Sequence, residues 1–214
     1  MIAFTRRHML SLGSAPTPFA ASPACPADIL PNLPASGMPL TDALRRRRSV
    51  REFATMPLPE ELLLTLLWCA LGINRPATGG RTAPAWNRVA ETEIYLAGLS
   101  GIRRYDPPSG RLVRISDRDV RPMLSREAFV AAAPEVLIYV ADLSRMEGWP
   151  ADQQPLAAVV DAAVIAENVY LYCASVEFGT CLVSGLYRSA IAGLLGLPGH
   201  KRVTFVQPVG YPRA

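Results

Sequence analysis

Along this 214-residue chain, apolar positions recur with either a helical or an alternating period, and the switches between the two divide it into short elements. Residues 60–71 carry Leu62, Leu63, Leu66, Leu67 and Ala70 on one face, follow Pro57-Leu58-Pro59 and meet Gly72, which predicts an amphipathic helix with a defined start and stop. Glycines and prolines interrupt any period over 74–87, so a loop is expected there. Alternation over 92–97 predicts a strand. Residues 102–105 and 111–115 predict a hairpin closed through Asp106-Pro107-Pro108-Ser109-Gly110. A helical pattern over 119–132 ends at Pro134, and the apolar run 136–140 reads as a short strand. The longest apolar segment, 156–176, has no clean polar face. It contains Asp161, Glu167 and Asn168, which make membrane insertion costly; a central helix buried by its neighbours, and across a subunit boundary, is expected in place of a transmembrane segment. Residues 179–185 read as a loop or short strand, 187–195 as a helix, and 203–209 as the last strand.

Half of the residues are hydrophobic, enough for one folded unit with a sizeable core, expected over 40–214. Residues 25–39, rich in proline and small side chains, predict a linker or arm. At the N-terminus Thr5-Arg6-Arg7-His8-Met9-Leu10 precedes a mildly apolar stretch that ends in small residues near Ala24-Cys25. This resembles a twin-arginine export signal over 1–24 and implies a periplasmic or exported protein. Pro16, Pro18 and Pro23 interrupt the apolar stretch, so a basic tail on a cytoplasmic protein is the alternative.

Charge and reactive side chains narrow the chemistry. The formal net charge is +4, of which Arg6 and Arg7 supply two, and no aromatic stripe accompanies the remaining basic residues; a nucleic-acid partner is not expected. The four cysteines, at 25, 69, 173 and 181, form no Cys-x-x-Cys pair, so no metal site is expected. Buried thiols are the default for Cys69 and Cys173, and a Cys173–Cys181 bridge is open in an oxidising compartment. Only His8 and His200 are present, and His200 follows a turn-like Leu197-Pro198-Gly199, which removes most support for a histidine-centred triad.

One polar run stands out against this background. Arg45-Arg46-Arg47-Arg48-Ser49-Val50-Arg51 follows Leu40-Thr41-Asp42-Ala43-Leu44, which reads as a short helix opened by a Thr cap. The arginines then fall at the helix end and the following turn, where their forks suit phosphate oxygens and Ser49 adds a neutral donor. A solvated basic face, or a docking patch for an acidic protein, are the competing readings.

Taken together, three motifs resemble the nitroreductase family of FMN-dependent enzymes over about 40–212. They are Arg47-Arg48-Ser49-Val50-Arg51-Glu52-Phe53, Arg81-Thr82-Ala83-Pro84-Ala85-Trp86-Asn87, and Phe178-Gly179-Thr180-Cys181-Leu182-Val183-Ser184-Gly185 with Pro208-Val209-Gly210-Tyr211-Pro212 beyond it. Within the family, Arg104-Tyr105-Asp106 is most similar to the branch that oxidises peptide-derived azolines. The resemblance implies an α+β sandwich, with a central mixed sheet and helices on both faces, and a homodimer with flavin at the interface. It implies Arg47, Arg48 and Ser49 on the FMN phosphate and ribityl chain, and Arg51 near the pyrimidine edge. Asn87 is implied on the ring, with Ser184 and Gly185 presenting backbone N–H groups near N5. The implied activity is hydride or electron transfer to or from a nitroaromatic-, quinone- or azoline-like molecule, with no protein side chain acting as nucleophile, acid or base. A non-enzymatic flavin- or phosphate-ligand-binding protein is the alternative. Ala85 stands where the family favours Ser, Arg88-Val89-Ala90 replaces the usual Gln-Pro-Trp, and Arg213 is the expected substitute for a basic contact from the family's C-terminal extension.

Overall fold

The computed structural model describes residues 38–86 and 89–213, and the export-signal and most of the linker assignments lie outside them. Two central strands set the architecture. Strand β3 (Thr92–Gly98) pairs antiparallel with β6 (Glu135–Asp142), and both are buried along nearly their whole length. Strand alternation sends Ile94, Leu96, Leu137 and Tyr139 to one face and Tyr95, Ala97, Val136, Ile138 and Val140 to the other. Each face therefore needs a cover. The six-stranded order is β5 (Arg111–Ser116), β4 (Gly101–Asp106), β3, β6, β8 (Lys201–Gly210) and β7 (Gly179–Thr180), with all named strands antiparallel. Among the described residues, the parallel component that makes the sheet mixed is the bridge between Ser49 and Thr180.

The first face is covered by α2 (Glu60–Leu71) and α4 (Gln154–Ser175). On α4 the buried stripe is Ala158, Asp161, Ala162, Ile165, Ala166, Val169 and Cys173, and its small members bring the helix close to the strands. By length and composition α4 could cross a membrane, but half of it is buried in this core. Gln207 meets it there, accepting from Tyr139 Oη at 2.5 Å and donating Nε2 to the Ala166 carbonyl at 3.3 Å, so both buried polar groups are satisfied. The second face is covered by α3 (Ala128–Ala132) and α5 (Arg188–Leu194), with Val130 and Ile191 in its core.

Several local expectations change. The helix expected over 119–132 breaks into a 3-10 turn, Arg121–Met123, and the short α3. The buried Arg121 side chain is the cause: it grips both Asp119 oxygens, at 2.9 and 2.7 Å, and donates to the Ala133 carbonyl at 2.6 Å, while Ser125 leaves to bridge Leu186. Within the expected 74–87 loop, β1 (Ile73–Arg75) and β2 (Gly80–Arg81) form a small hairpin. No Cys173–Cys181 bridge forms; both thiols are free, and burial pushes that of Cys173 well up.

Candidate functional site

The arginine run begins on α1 (Leu40–Arg46). Pro39, not Thr41, occupies the N-cap, and Arg45 and Arg46 sit in the last turn, where the exposed carbonyls favour cations. Arg47 is the C-cap. The chain then straightens: Ser49 bridges Thr180 in parallel, Val50 N–H donates to the Thr180 carbonyl at 2.9 Å, Phe53 bridges Pro212, and Arg213 N–H returns to the Glu52 carbonyl at 2.9 Å. This added edge strand requires close backbone approach at two glycines. A Cβ on Gly179 would lie 2.6 Å from Val50, and one on Gly210 would lie 2.6 Å from Pro134 and 3.1 Å from Phe53.

A cavity of about 480 Å³ opens beside this strand, within the usual size for a small-molecule site. Arg45, Arg46, Arg47 and Arg48 line it together with Tyr170, Thr180, Phe178 and Glu177. Arg45 pairs with Asp42 at 2.7 Å, and Arg46 stands 3.6 Å from Glu177, both through exposed side chains. Among the described residues, neither Arg47 nor Arg48 meets a carboxylate within the 4.0 Å of an ion pair. Two guanidiniums of the cavity wall are thus left for an outside anion.

Tyr170, which sequence reasoning missed, organises the wall. Its ring lies 5.4 Å beneath the Arg47 guanidinium, and its hydroxyl accepts the Leu182 N–H at 2.8 Å and stands 3.2 Å from Ser49 Oγ. With the phenol proton given to Ser49, the serine keeps its own O–H for a ligand. The sequence does not single out Tyr170, which shares its helix with a second tyrosine, Tyr172, and with Asp161, Glu167 and Asn168.

Arg47 and Arg48 line the cavity together, and Ser49 sits beside its wall through Tyr170; Ser49 and Arg51 are both exposed and neither lines the cavity itself. Ser184 and Gly185 follow closely on Leu182 in the chain, and the Leu182–Tyr170 bond ties their segment to the cavity wall. The Gly185 carbonyl accepts from Ser125 Oγ at 2.6 Å, while among the described residues the N–H groups of Ser184 and Gly185 donate to no protein acceptor. A Cβ on Gly185 would find nothing nearer than Glu127 Oε1 at 3.7 Å, so that backbone is open to approach.

Asn87 lies outside the described residues, but side-chain bonds anchor the segment leading to it. Arg81 Nη1 donates to the Leu71 carbonyl and Thr82 Oγ1 to the Trp68 carbonyl, satisfying the C-terminal turn of α2. Trp86 N–H donates to Asp161 Oδ2 at 2.8 Å, and its indole packs edge-on against Trp149. Near Asp161 lies Glu91, a fully buried carboxyl whose Oε1 accepts from Thr92 Oγ1 at 2.8 Å. Burial, with the Asp161 charge adding to it, pushes Glu91 up to about 7. Asp161 and Tyr170 are nine residues apart on α4, roughly 14 Å along the helix axis. Within one chain, the arginine cavity and the Trp86 turn are thus separate stations on one helix.

The donor set fits a phosphorylated flavin: unpaired guanidiniums and a hydroxyl at one end, and unspent backbone N–H groups nearby. Comparison with known proteins agrees. The nitroreductase family model matches residues 44–211. A Methanocaldococcus jannaschii protein named as a nitroreductase is 31% identical over 181 residues, covering 80% of this chain and 90% of its own. A crystal structure of a nitroreductase homologue from Ralstonia eutropha superposes with a TM-score of 0.81 at 36% identity, over 85% of this chain and 86% of that one. An NADPH-flavin oxidoreductase of Vibrio harveyi is 25% identical over 80% of this chain and 65% of its own length. With the motifs, the sandwich and the arginine cavity in agreement with these matches, the chain belongs to the nitroreductase family of flavin-dependent oxidoreductases.

Proposed function

We propose that this protein is an FMN-dependent oxidoreductase acting on a nitroaromatic-, quinone- or azoline-like molecule. The observation that carries the FMN assignment is the pair Arg47 and Arg48, unmatched by carboxylates on the wall of the 480 Å³ cavity. Arg47 and Arg48 bind the phosphate, and Ser49, oriented by Tyr170, donates to it. Ser184 and Gly185 offer N–H groups to the ring, and Arg51 and Asn87 approach its pyrimidine edge. When bound, FMN would supply hydride transfer between a donor and an acceptor. The protein residues bind, orient and exclude water; no side chain is assigned a proton-transfer role.

A homodimer completes this site, with the segment that leads through Trp86 in one protomer facing the arginine cavity of the other. The roughly 14 Å between the two stations of one chain supports that division, as do Leu156, Val159 and Val160, which leave an apolar patch on the outer face of α4. Export through the twin-arginine-like segment, residues 1–24, belongs to the same reading, with a donor other than cytoplasmic NADPH. Fractionation of the native host tests it, with protein confined to the cytoplasm as the contrary result.

Activity is tested by anaerobic photoreduction of the flavin-loaded protein and rapid mixing with a quinone or nitroaromatic. Reoxidation within seconds is expected. Reduced flavin that persists against quinones, nitroaromatics and oxygen would mean a binding protein without turnover.

A further inference from the structure

Residues 124–127 and 185–187 are stitched together beside the unspent amides of the third motif. Ser125 and Leu186 form an antiparallel bridge, Tyr187 N–H donates to the Leu124 carbonyl at 3.1 Å, and Ser125 Oγ donates to the Gly185 carbonyl at 2.6 Å. That register sets Arg126 opposite Gly185, where side chains of neighbouring strands would ordinarily meet. Glycine brings no side chain to the meeting point. Arg126 and Glu127 border the space instead: a Cβ on Gly185 would stand 3.7 Å from Glu127 Oε1 and 3.8 Å from Arg126 Nε.

Both residues are exposed, and among the described residues neither side chain joins a hydrogen bond or an ion pair. Nearby arginines differ. Arg114 and Arg121 grip Asp117 and Asp119, and Arg188 Nη2 donates to the Thr204 carbonyl at 3.2 Å. Arg126 and Glu127, although adjacent in the chain, do not come within the 4.0 Å of an ion pair with each other. A free guanidinium and a free carboxylate therefore border one stretch of open backbone, whose Ser184 and Gly185 N–H groups donate to no protein acceptor among the described residues. Two residues beyond Gly185, Tyr187 is 49% exposed and adds aromatic surface to the same segment.

We propose that Arg126 and Glu127 are specificity-determining residues that select and orient an acceptor carrying an oxyanion on an aromatic ring. Arg126 attracts the oxyanion, and Glu127 repels it from its own side of the opening. The inference rests on the FMN reading, which gives the Ser184 and Gly185 amides to the flavin ring and so sets Arg126 and Glu127 at the rim of the ring. Charges on an exposed rim act on selectivity more than on total affinity, and salt screens them.

Benzoate and benzamide, which match in shape and differ in charge, test this on the FMN-loaded protein. Their dissociation constants are read from the change in flavin absorbance, and para-nitrobenzoate and para-nitrobenzamide give the same comparison in kcat/KM. Wild type at low salt is expected to prefer the anion about fivefold in both measurements. At about 1 M salt that preference should fall away, because the screening length is then only about 3 Å. Arg126→Gln is expected to erase the preference through KM with little change in kcat, and Glu127→Gln to raise it by a similar factor. Effects of opposite sign cannot come from general damage to the fold. Arg118→Gln, which removes the same charge from another exposed residue outside the pair, is expected to leave the preference in place. A wild-type protein that treats benzoate and benzamide alike, or a preference untouched by Arg126→Gln, would overturn the proposal. Failure of wild type to take up FMN would instead remove the flavin reading, and this inference with it.

Discussion

Leu182 N–H donates to Tyr170 Oη, which shares a hydrogen bond with Ser49 Oγ, and this polar chain runs from the backbone of the third motif into the first. Tyr170→Phe keeps the ring beneath Arg47 but leaves the Leu182 N–H without its acceptor and Ser49 without its orienting partner. A stability loss of about 1 to 2 kcal/mol is expected by urea titration, together with weaker FMN binding. Buried Glu91 gives a second expectation at this scale. Its folded-state value is raised from 4.5 to about 7, so its contribution is fully present below about pH 4.5 and is lost as pH rises through about 7. Unfolding free energy should fall across that window, by no more than about 3 kcal/mol, and Glu91→Gln should flatten the slope. The arginines and Ser49 are legible in the sequence because chain neighbours stay neighbours in a C-cap and an edge strand. Tyr170 is not, because it lies 121 residues from Ser49 and only the packing of α4 brings the two together.

Helix ends carry the argument at the next scale. Residues 60–71 are legible to the residue because Pro59 and Gly72 bound α2. The 119–132 pattern misleads because its break depends on a tertiary event, the burial of Arg121 against Asp119 and the Ala133 carbonyl. At the C-terminus of α4 the chain turns through Glu177, which adopts φ 62°, and Phe178 N–H closes back on the Cys173 carbonyl at 2.8 Å. A glycine fits this left-handed position without strain. Glu177→Gly is therefore expected to raise stability by about 0.5 to 1 kcal/mol by thermal or chemical denaturation, since the exposed pair with Arg46 that it removes contributes little. A loss of stability would show that the pair matters more than the strained backbone.

For the whole molecule, the sandwich places an arginine-rich edge strand and an apolar helix face on one body, and the proposed dimer uses both. Leu156 is 68% exposed, and Leu40 and Leu44 on α1 are also exposed, an arrangement that a second copy would cover. Leu156→Glu is expected to shift sedimentation toward monomer and to lower flavin affinity in parallel; full flavin binding by a monomeric variant would separate the site from the interface. The α+β class is legible through the family resemblance that the three motifs carry, and the alternating strand patterns agree with it; the antiparallel order is not legible, because it depends on which strands meet rather than on the pattern of any one.

The central claim is that the cavity beside Arg47 and Arg48 grips a flavin phosphate. Titration of the purified, flavin-stripped protein with FMN and with riboflavin, followed by absorbance and flavin fluorescence, tests it most directly. The expected result is one FMN per chain, riboflavin at least about tenfold weaker, and Arg47→Ala reducing FMN affinity to about the riboflavin level, a change of about 1.4 kcal/mol or more. Equal binding of the two flavins, or FMN affinity untouched by Arg47→Ala, would contradict the account.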